Sequence, residues 1–197
     1  MSFVITIGRQ YGSGGRYIAQ ELAKRLNIAF YDNDLLVKAA QNSGLSVEYM
    51  KEHDEKKDSV FAFVGMNDAS NVSTAVQKVS LAQFQTIRHL ADTESCVIVG
   101  RCADYVLKDY PNVVNIFIHA PIDDRVHRAV TYYRLEEKKA KDIIAKMDRK
   151  RASYYNYFTD RKWGHAGNYD LCINSDIGIE ETVDVIVELV RKKFRLK

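Results

Sequence analysis

The chain has 197 residues, 46% of them hydrophobic and 28% charged, with a formal charge of +3 at pH 7. That is the size of a single domain with one core. The mild positive balance permits an anionic ligand but gives no support to nucleic-acid binding, which needs a strongly basic face; nor is there a run of about 18 apolar residues to span a membrane.

The opening "MSFVITIG" lacks the basic start and the length of a secretory signal and reads as a strand, Phe3–Ile7. A glycine cluster follows. From Gly14 to Leu26, Ile18, Ala19, Leu22, Ala23 and Leu26 fall on one helical face. Ile28–Tyr31 is a second strand, ending in "YDND", and Asp34–Ala40 continues as a helix that stops near Gly44. Ser46, with Glu48 close behind, caps a short helix through Tyr49 and His53. From Lys56 to Ser73 the periodicity fades, as in a loop or mobile excursion, and Thr74–Ala91 reads as a long helix. Cys96–Gly100 and Val113–Ala120 are continuous apolar strands; Pro121 then opens a helix whose Asp123 and Asp124 suit its positive end. A further helix runs from about Glu136 to Tyr157, Tyr169–Asn174 is the last strand and Glu180–Phe194 the last helix. Short apolar strands alternating with helices predict a parallel sheet of about five strands covered on both faces. Ligands then sit at the strands' carboxyl ends. The three cysteines, Cys96, Cys102 and Cys172, have no C-x-x-C spacing and fit a reducing cytoplasm.

The segments after the strands carry the chemistry. After the first comes "GRQYGSGGR", where the usual phosphate-binding pattern is G-x-x-x-x-G-K-[ST]. Gly12, Ser13, Gly14 and Gly15 allow successive amides to point inward as an anion nest, and the next helix adds its N-terminal dipole. Arg16 lies one place beyond the expected lysine and offers a planar charge in its stead. Tyr17 falls where a magnesium-binding hydroxyl is common, for which a phenol is a poor substitute, so no protein metal ligand is predicted. The five histidines show no metal spacing.

The segments "ITIGRQYGSGGRYIAQELAKRL", "FYDNDLL", "CVIVGRCADYVL", "VVNIFIHAPIDDRVHR", "MDRKRASYY" and "YDLCIN", in this order, resemble the cytidylate kinase-like family of nucleoside monophosphate kinases; residues 45–80 contribute nothing to the likeness. The resemblance implies a three-layer α/β/α P-loop NTPase fold in one domain, with an NMP-binding part over about 33–92 and a lid over about 129–166. It implies ATP and Mg²⁺ as cofactors, a small-molecule nucleotide as substrate, no nucleic-acid or membrane partner, and allows a homodimer. Gly12–Tyr17 and Asn174 would hold ATP; Asp32, Asn33, Lys38, Arg101, Asp148 and Arg151 would hold the acceptor; Arg16, Arg101, Arg128 and Arg151 would neutralise the moving phosphoryl group. Asp32 and Asp34 have helix capping as the alternative, favoured for Asp34. Arg125 and Arg128 share a side at the lid's entrance, and Asp148, three before Arg151, would hold that arginine in place. The family's Gly-Arg-Asp after the third strand is here Gly100-Arg101-Cys102, so the aspartate that would recognise cytosine is absent; Asp104 lies two places on, and the base preference stays open. Tyr154, Tyr155, Tyr157 and Trp163 are expected to pack or dimerise ahead of stacking on a base. The leading function is phosphorylation of CMP or dCMP; a kinase with another small acceptor and a non-catalytic nucleotide-binding module are the alternatives.

Overall fold

The computed structural model describes residues 2–32, 34–55 and 69–196. Five strands, β1 (Val4–Arg9), β2 (Ala29–Tyr31), β3 (Cys96–Val99), β4 (Val113–His119) and β5 (Leu171–Asn174), form one sheet in the order β2-β3-β1-β4-β5. Every pairing is parallel, and Val4 is level with Cys96 on one side and Val113 on the other. Among the described residues the helices are α1 (Gly15–Arg25), α2 (Asp34–Ser43), α3 (Val47–Glu55), α4 (Ala69–Thr93), α5 (Ala103–Val106), α6 (Ile122–Tyr133), α7 (Glu137–Phe158) and α8 (Ile179–Phe194).

The strands are apolar on both faces because both are covered. On one face Ile5, Ile7, Val97, Ile116 and Ile118 pack against Ile18 and Leu22 of α1 and Val183, Ile186 and Val190 of α8. On the other, Val4, Cys96, Ile98 and Val113 meet Ile87 and Leu90 of α4 and Val106 of α5. A third, smaller core joins α2, α3 and α4 through Ala39, Ala40, Met50, Val79 and Ala82. Parallel strands deliver all their following loops to one edge, and there the site assembles.

Strand positions agree with the sequence reading to within two residues at each end. The cap also agrees: the Tyr49 amide donates to Ser46 Oγ at 3.1 Å. Two differences have local causes. The long helix begins at Ala69, so the weak pattern over 69–73 is helix, while 56–68 lie outside the described residues. The short α5 was missed because it follows three consecutive left-handed residues, Gly100, Arg101 and Cys102, a turn that no local pattern announces.

Candidate active site

The loop between β1 and α1 forms the floor. Gly12 and Gly14 adopt φ of 78° and 79°. At Gly12 any side chain is also excluded by crowding, since a Cβ would lie 2.6 Å from the Arg125 carbonyl oxygen. The loop's inner bonds are few: the Ser13 amide and hydroxyl both donate to the Gln10 carbonyl, at 3.3 and 2.9 Å. The amides of Gly12, Gly14, Gly15, Arg16 and Tyr17 have no acceptor within reach among the described residues. A cavity of about 240 Å³ opens above them, walled by Arg9, Gln10, Tyr11, Asp32, Tyr133 and Arg151. Open amides at a helix N-terminus facing a cationic wall make an anion site.

Two further arginines brace this floor from behind. Arg125, 7% exposed, donates from Nε to the Tyr11 carbonyl at 2.8 Å and pairs with Asp148. Asp148 also accepts the Tyr11 amide at 2.7 Å. Arg128 donates to the Ser13 carbonyl at 3.3 Å and, through Nη2, to the Ser175 carbonyl at 2.6 Å, while Ser175 Oγ donates to the same Ser13 carbonyl at 2.6 Å. The loop is thus tied to α6, α7 and the turn after β5. Of the residues expected to touch ligand, Arg128 and Asp148 are placed here as struts. Asp148 pairs directly with Arg125 and the Tyr11 amide, and acts on Arg151 through its charge alone.

Arg16 is 53% exposed at the rim, its Nε 3.0 Å from Asp32. Arg151 reaches inward, donating to the Arg9 carbonyl at 3.1 Å and lying 5.4 Å from the Tyr11 ring centre. Asp32 thus faces arginines with its carboxylate, and its main-chain carbonyl accepts the Leu35 amide at 3.3 Å at the start of α2. Arg9 was not singled out from the sequence. It ends β1, lines the cavity and stands 3.8 Å from Asp32. The signal that locates it is period-2 alternation: Ile5, Ile7 and Arg9 share one sheet face, so the arginine points toward α1. Burial, with Arg151 next, lowers it from its ordinary value to about 9.

A second, smaller cavity of about 60 Å³ shares Arg9 and Arg151 with the first and adds Gly8, Arg101, Asp104, Tyr155, Trp163 and Tyr169. Arg101 and Cys102, at φ of 58° and 55°, are left-handed without being glycine, which costs each about 1–2 kcal/mol. Cys102 is buried, as an ordinary small core residue would be. Asp104 is 7% exposed and accepts the Tyr155 hydroxyl at 2.6 Å. Burial raises its carboxyl above the ordinary value, and the Tyr155 bond opposes that shift.

The remaining expected site residues lie elsewhere. Lys38 donates to the Tyr31 hydroxyl at 2.7 Å and pairs with Glu94 at 3.8 Å, outside both cavities. Tyr17 packs at a tilt against Tyr132, ring centres 5.3 Å apart, and lines a separate cleft of about 540 Å³ with Gln20, Lys24, Ile179 and Glu180. Asn174 caps the turn after β5, accepting the Asp176 amide at 3.3 Å. Asn33 lies outside the described residues. The aromatics after Arg151 pack: Trp163 meets Phe117 edge-on at 5.3 Å, Tyr154 meets Phe158 at 4.7 Å, and the Tyr154 and Ser80 hydroxyls are 3.0 Å apart.

A five-stranded parallel sheet in this order, with a glycine loop opening onto a cationic cavity between β1 and α1, is the P-loop fold of small-molecule kinases. The chain belongs to the cytidylate kinase-like family, whose model matches residues 4–177. An uncharacterized protein from Eubacterium ventriosum is similar at 30% identity and a TM-score of 0.75, over 96% of this chain and 98% of that one. The fold also recurs at 15% identity in a shikimate kinase from Bacteroides thetaiotaomicron (TM-score 0.55; 96% and 98% covered) and in TT1252 from Thermus thermophilus (0.57; 98% and 97%). Among curated sequences, a uronate isomerase from Corynebacterium glutamicum is 30% identical over 115 residues, 57% of this chain, which spans only 22% of that protein. No described helix is long and apolar enough to cross a membrane.

Proposed function

We propose that the protein transfers a phosphoryl group from ATP to a nucleoside monophosphate, CMP or dCMP first. The observation that carries this reading is the loop cavity, with open amides on its floor and the guanidinium groups of Arg9, Arg16 and Arg151 on its wall. Phosphoryl transfer asks the protein mainly to position two anions in line and to neutralise the moving charge. The cavity does this for the donor's phosphates. The cleft beside it, with Tyr17 and Tyr132 on one side and Ile179 on the other, has the aromatic wall and the size for the donor's adenine. The smaller cavity then receives the acceptor, with Arg101 at its phosphate and Asp104 as the carboxylate that reads its base. The part built on α2–α4 and the part built on α6–α7 would close over the acceptor and the donor.

Asp32 is the one carboxylate lining the loop cavity among the described residues. One carboxylate beside phosphate oxygens is a sufficient protein contribution for Mg²⁺, so Asp32 is the group that would hold it. The ion would supply charge neutralisation on the transferring phosphoryl group. In its absence Asp32 orients Arg16 and Arg9.

The size of the acceptor cavity favours a second reading. At about 60 Å³, with Tyr154, Tyr155 and Trp163 in its wall, it holds less than a nucleobase, which points to a smaller acidic acceptor unless those side chains move outward. An ADP-release assay with CMP, dCMP, UMP, AMP and small phosphorylated or carboxylated alcohols separates the two. Turnover on CMP or dCMP supports the first reading, and turnover confined to a small acid the second. ATP binding with no turnover on any acceptor refutes both in favour of a binding module.

A further inference from the structure

The phosphate-binding pattern places glycine first and lysine six positions later. Here those two positions are Arg9 and Gly15, so glycine and the basic residue have changed places. The structure shows that the exchange is sterically coupled. A Cβ built on Gly15 would sit 2.6 Å from Arg9 Cβ and 3.0 Å from its Cγ, so no side chain fits at position 15 while Arg9 is present. At its far end Arg9 runs past Gly100, where a Cβ would lie 2.3 Å from Arg9 Nη1. The side chain therefore fills the space over the start of α1 that a loop lysine would take, and ends between the two cavities, lining both.

We propose that Arg9 replaces the missing loop lysine, gripping the terminal phosphates of the donor from the strand side of the loop at the junction with the acceptor. The inference rests on the kinase reading for its ligand, but its geometry needs only a polyphosphate. Arg16, the nearer substitute in sequence, is at the exposed rim on Asp32, whereas the Arg9 side chain is 21% exposed and is fixed by the sheet. Arg151 holds the Arg9 carbonyl, and Arg101 and Arg151 both press on its charge, with Asp32 opposing them at 3.8 Å. An anion between these groups would relieve that crowding. A guanidinium also differs from an ammonium in reach: its planar fork can bond two phosphate oxygens at once.

The test is calorimetric titration with inorganic tripolyphosphate and, separately, with ATP and AMP. The proteins are the wild type, Arg9→Met, Gly15→Lys and the double variant Arg9→Gly/Gly15→Lys, which restores the usual pattern; circular dichroism checks that each is folded. The expected result is that Arg9→Met weakens tripolyphosphate and ATP binding by at least about 30-fold and AMP binding by less than about threefold. Gly15→Lys, with two basic side chains competing for one space, should bind poorly or unfold, and the double variant should regain most of the affinity. Undiminished tripolyphosphate binding by folded Arg9→Met, or no tripolyphosphate binding by the wild type, overturns the proposal. So does a folded double variant no better than Arg9→Met. Arg9-dependent tripolyphosphate binding without phosphoryl transfer to any acceptor upholds this inference while refuting the kinase reading.

Discussion

Arg101 pairs backbone strain with its proposed place at the acceptor's phosphate, and the two separate on substitution. Its φ of 58° places a non-glycine residue in the left-handed region immediately after β3. That conformation costs about 1–2 kcal/mol in the folded state. Glycine removes the cost but loses about 0.5–1 kcal/mol more chain entropy on folding. Arg101 also adds to the positive charge around Arg9, so its removal relieves repulsion in the same direction. Relative to Arg101→Ala, which loses the same side-chain contacts, the net expectation for Arg101→Gly is a gain of about 0.5–1 kcal/mol, or a rise in Tm of about 1–4 °C for a chain of this length. If the guanidinium meets the acceptor's phosphate, kcat/KM falls by about 10²–10³-fold, as on removal of one charge-stabilising donor. Arg101→Lys is the control: it keeps the left-handed strain, so its Tm stays near that of the wild type while part of the activity survives. Differential scanning fluorimetry and the ADP-release assay on the same preparations give both quantities. A Tm for Arg101→Gly at or below that of Arg101→Ala, with activity retained in both, refutes both the strain and the role.

Arg128→Lys is expected to lower stability by about 1–3 kcal/mol, since a compact ammonium lacks the fork by which Nη1 and Nη2 reach the Ser13 and Ser175 carbonyls; the loop it braces should also loosen, raising KM for ATP more than it lowers kcat, in thermal melts and initial rates. Asp104→Asn keeps an acceptor for Tyr155 and removes a buried carboxyl whose pKa is raised by desolvation. A raised carboxyl binds its proton more tightly when folded, so its burden on stability is largest at high pH and fades as pH falls through the folded pKa. Asp104→Asn should therefore melt above the wild type at pH 8, with the gap narrowing toward pH 5; a gap constant with pH counts against the assignment.

The strands were legible because β-branched, apolar runs such as "CVIVG" have no other place to go than the middle of a covered sheet. The glycine loop was legible for a similar reason: few other segments put so many residues free of a Cβ between a strand and a helix. The roles of individual charges were less so. Lys38 has the spacing of a ligand residue, but Tyr31, seven residues before it, and Glu94, 63 residues beyond Tyr31, meet it in space and take its charge. Asp148 and Arg151 share a helix face as their spacing demands; which partner the aspartate takes depends on Arg125, brought in from another helix. Arg9 was missed for the opposite reason. Its placement is local, set by alternation with Ile5 and Ile7, but the familiar pattern directs attention to the helix side of the loop.

Moving the basic residue from helix to strand changes how the site is held. A lysine on the first turn of α1 would swing on a flexible stem, whereas Arg9 is anchored by β1, which is paired on both sides, and by Arg151 at its carbonyl. The move also forces glycine at position 15, where Arg9 Cβ and Cγ leave no room, whereas glycine at position 100 is favoured by its positive φ. Gly100 at φ of 75° opens the left-handed run that continues through Arg101 and Cys102. The strain at the smaller cavity and the charge at the loop cavity are thus linked through one side chain. An anion that draws the Arg9 guanidinium toward the loop takes it away from the Arg101 charge, so occupation of the loop cavity should ease entry of an anion to the smaller one. Positive coupling between ATP and acceptor binding is the consequence, and it should vanish in the double variant, where the charge returns to α1 and no side chain spans the two cavities.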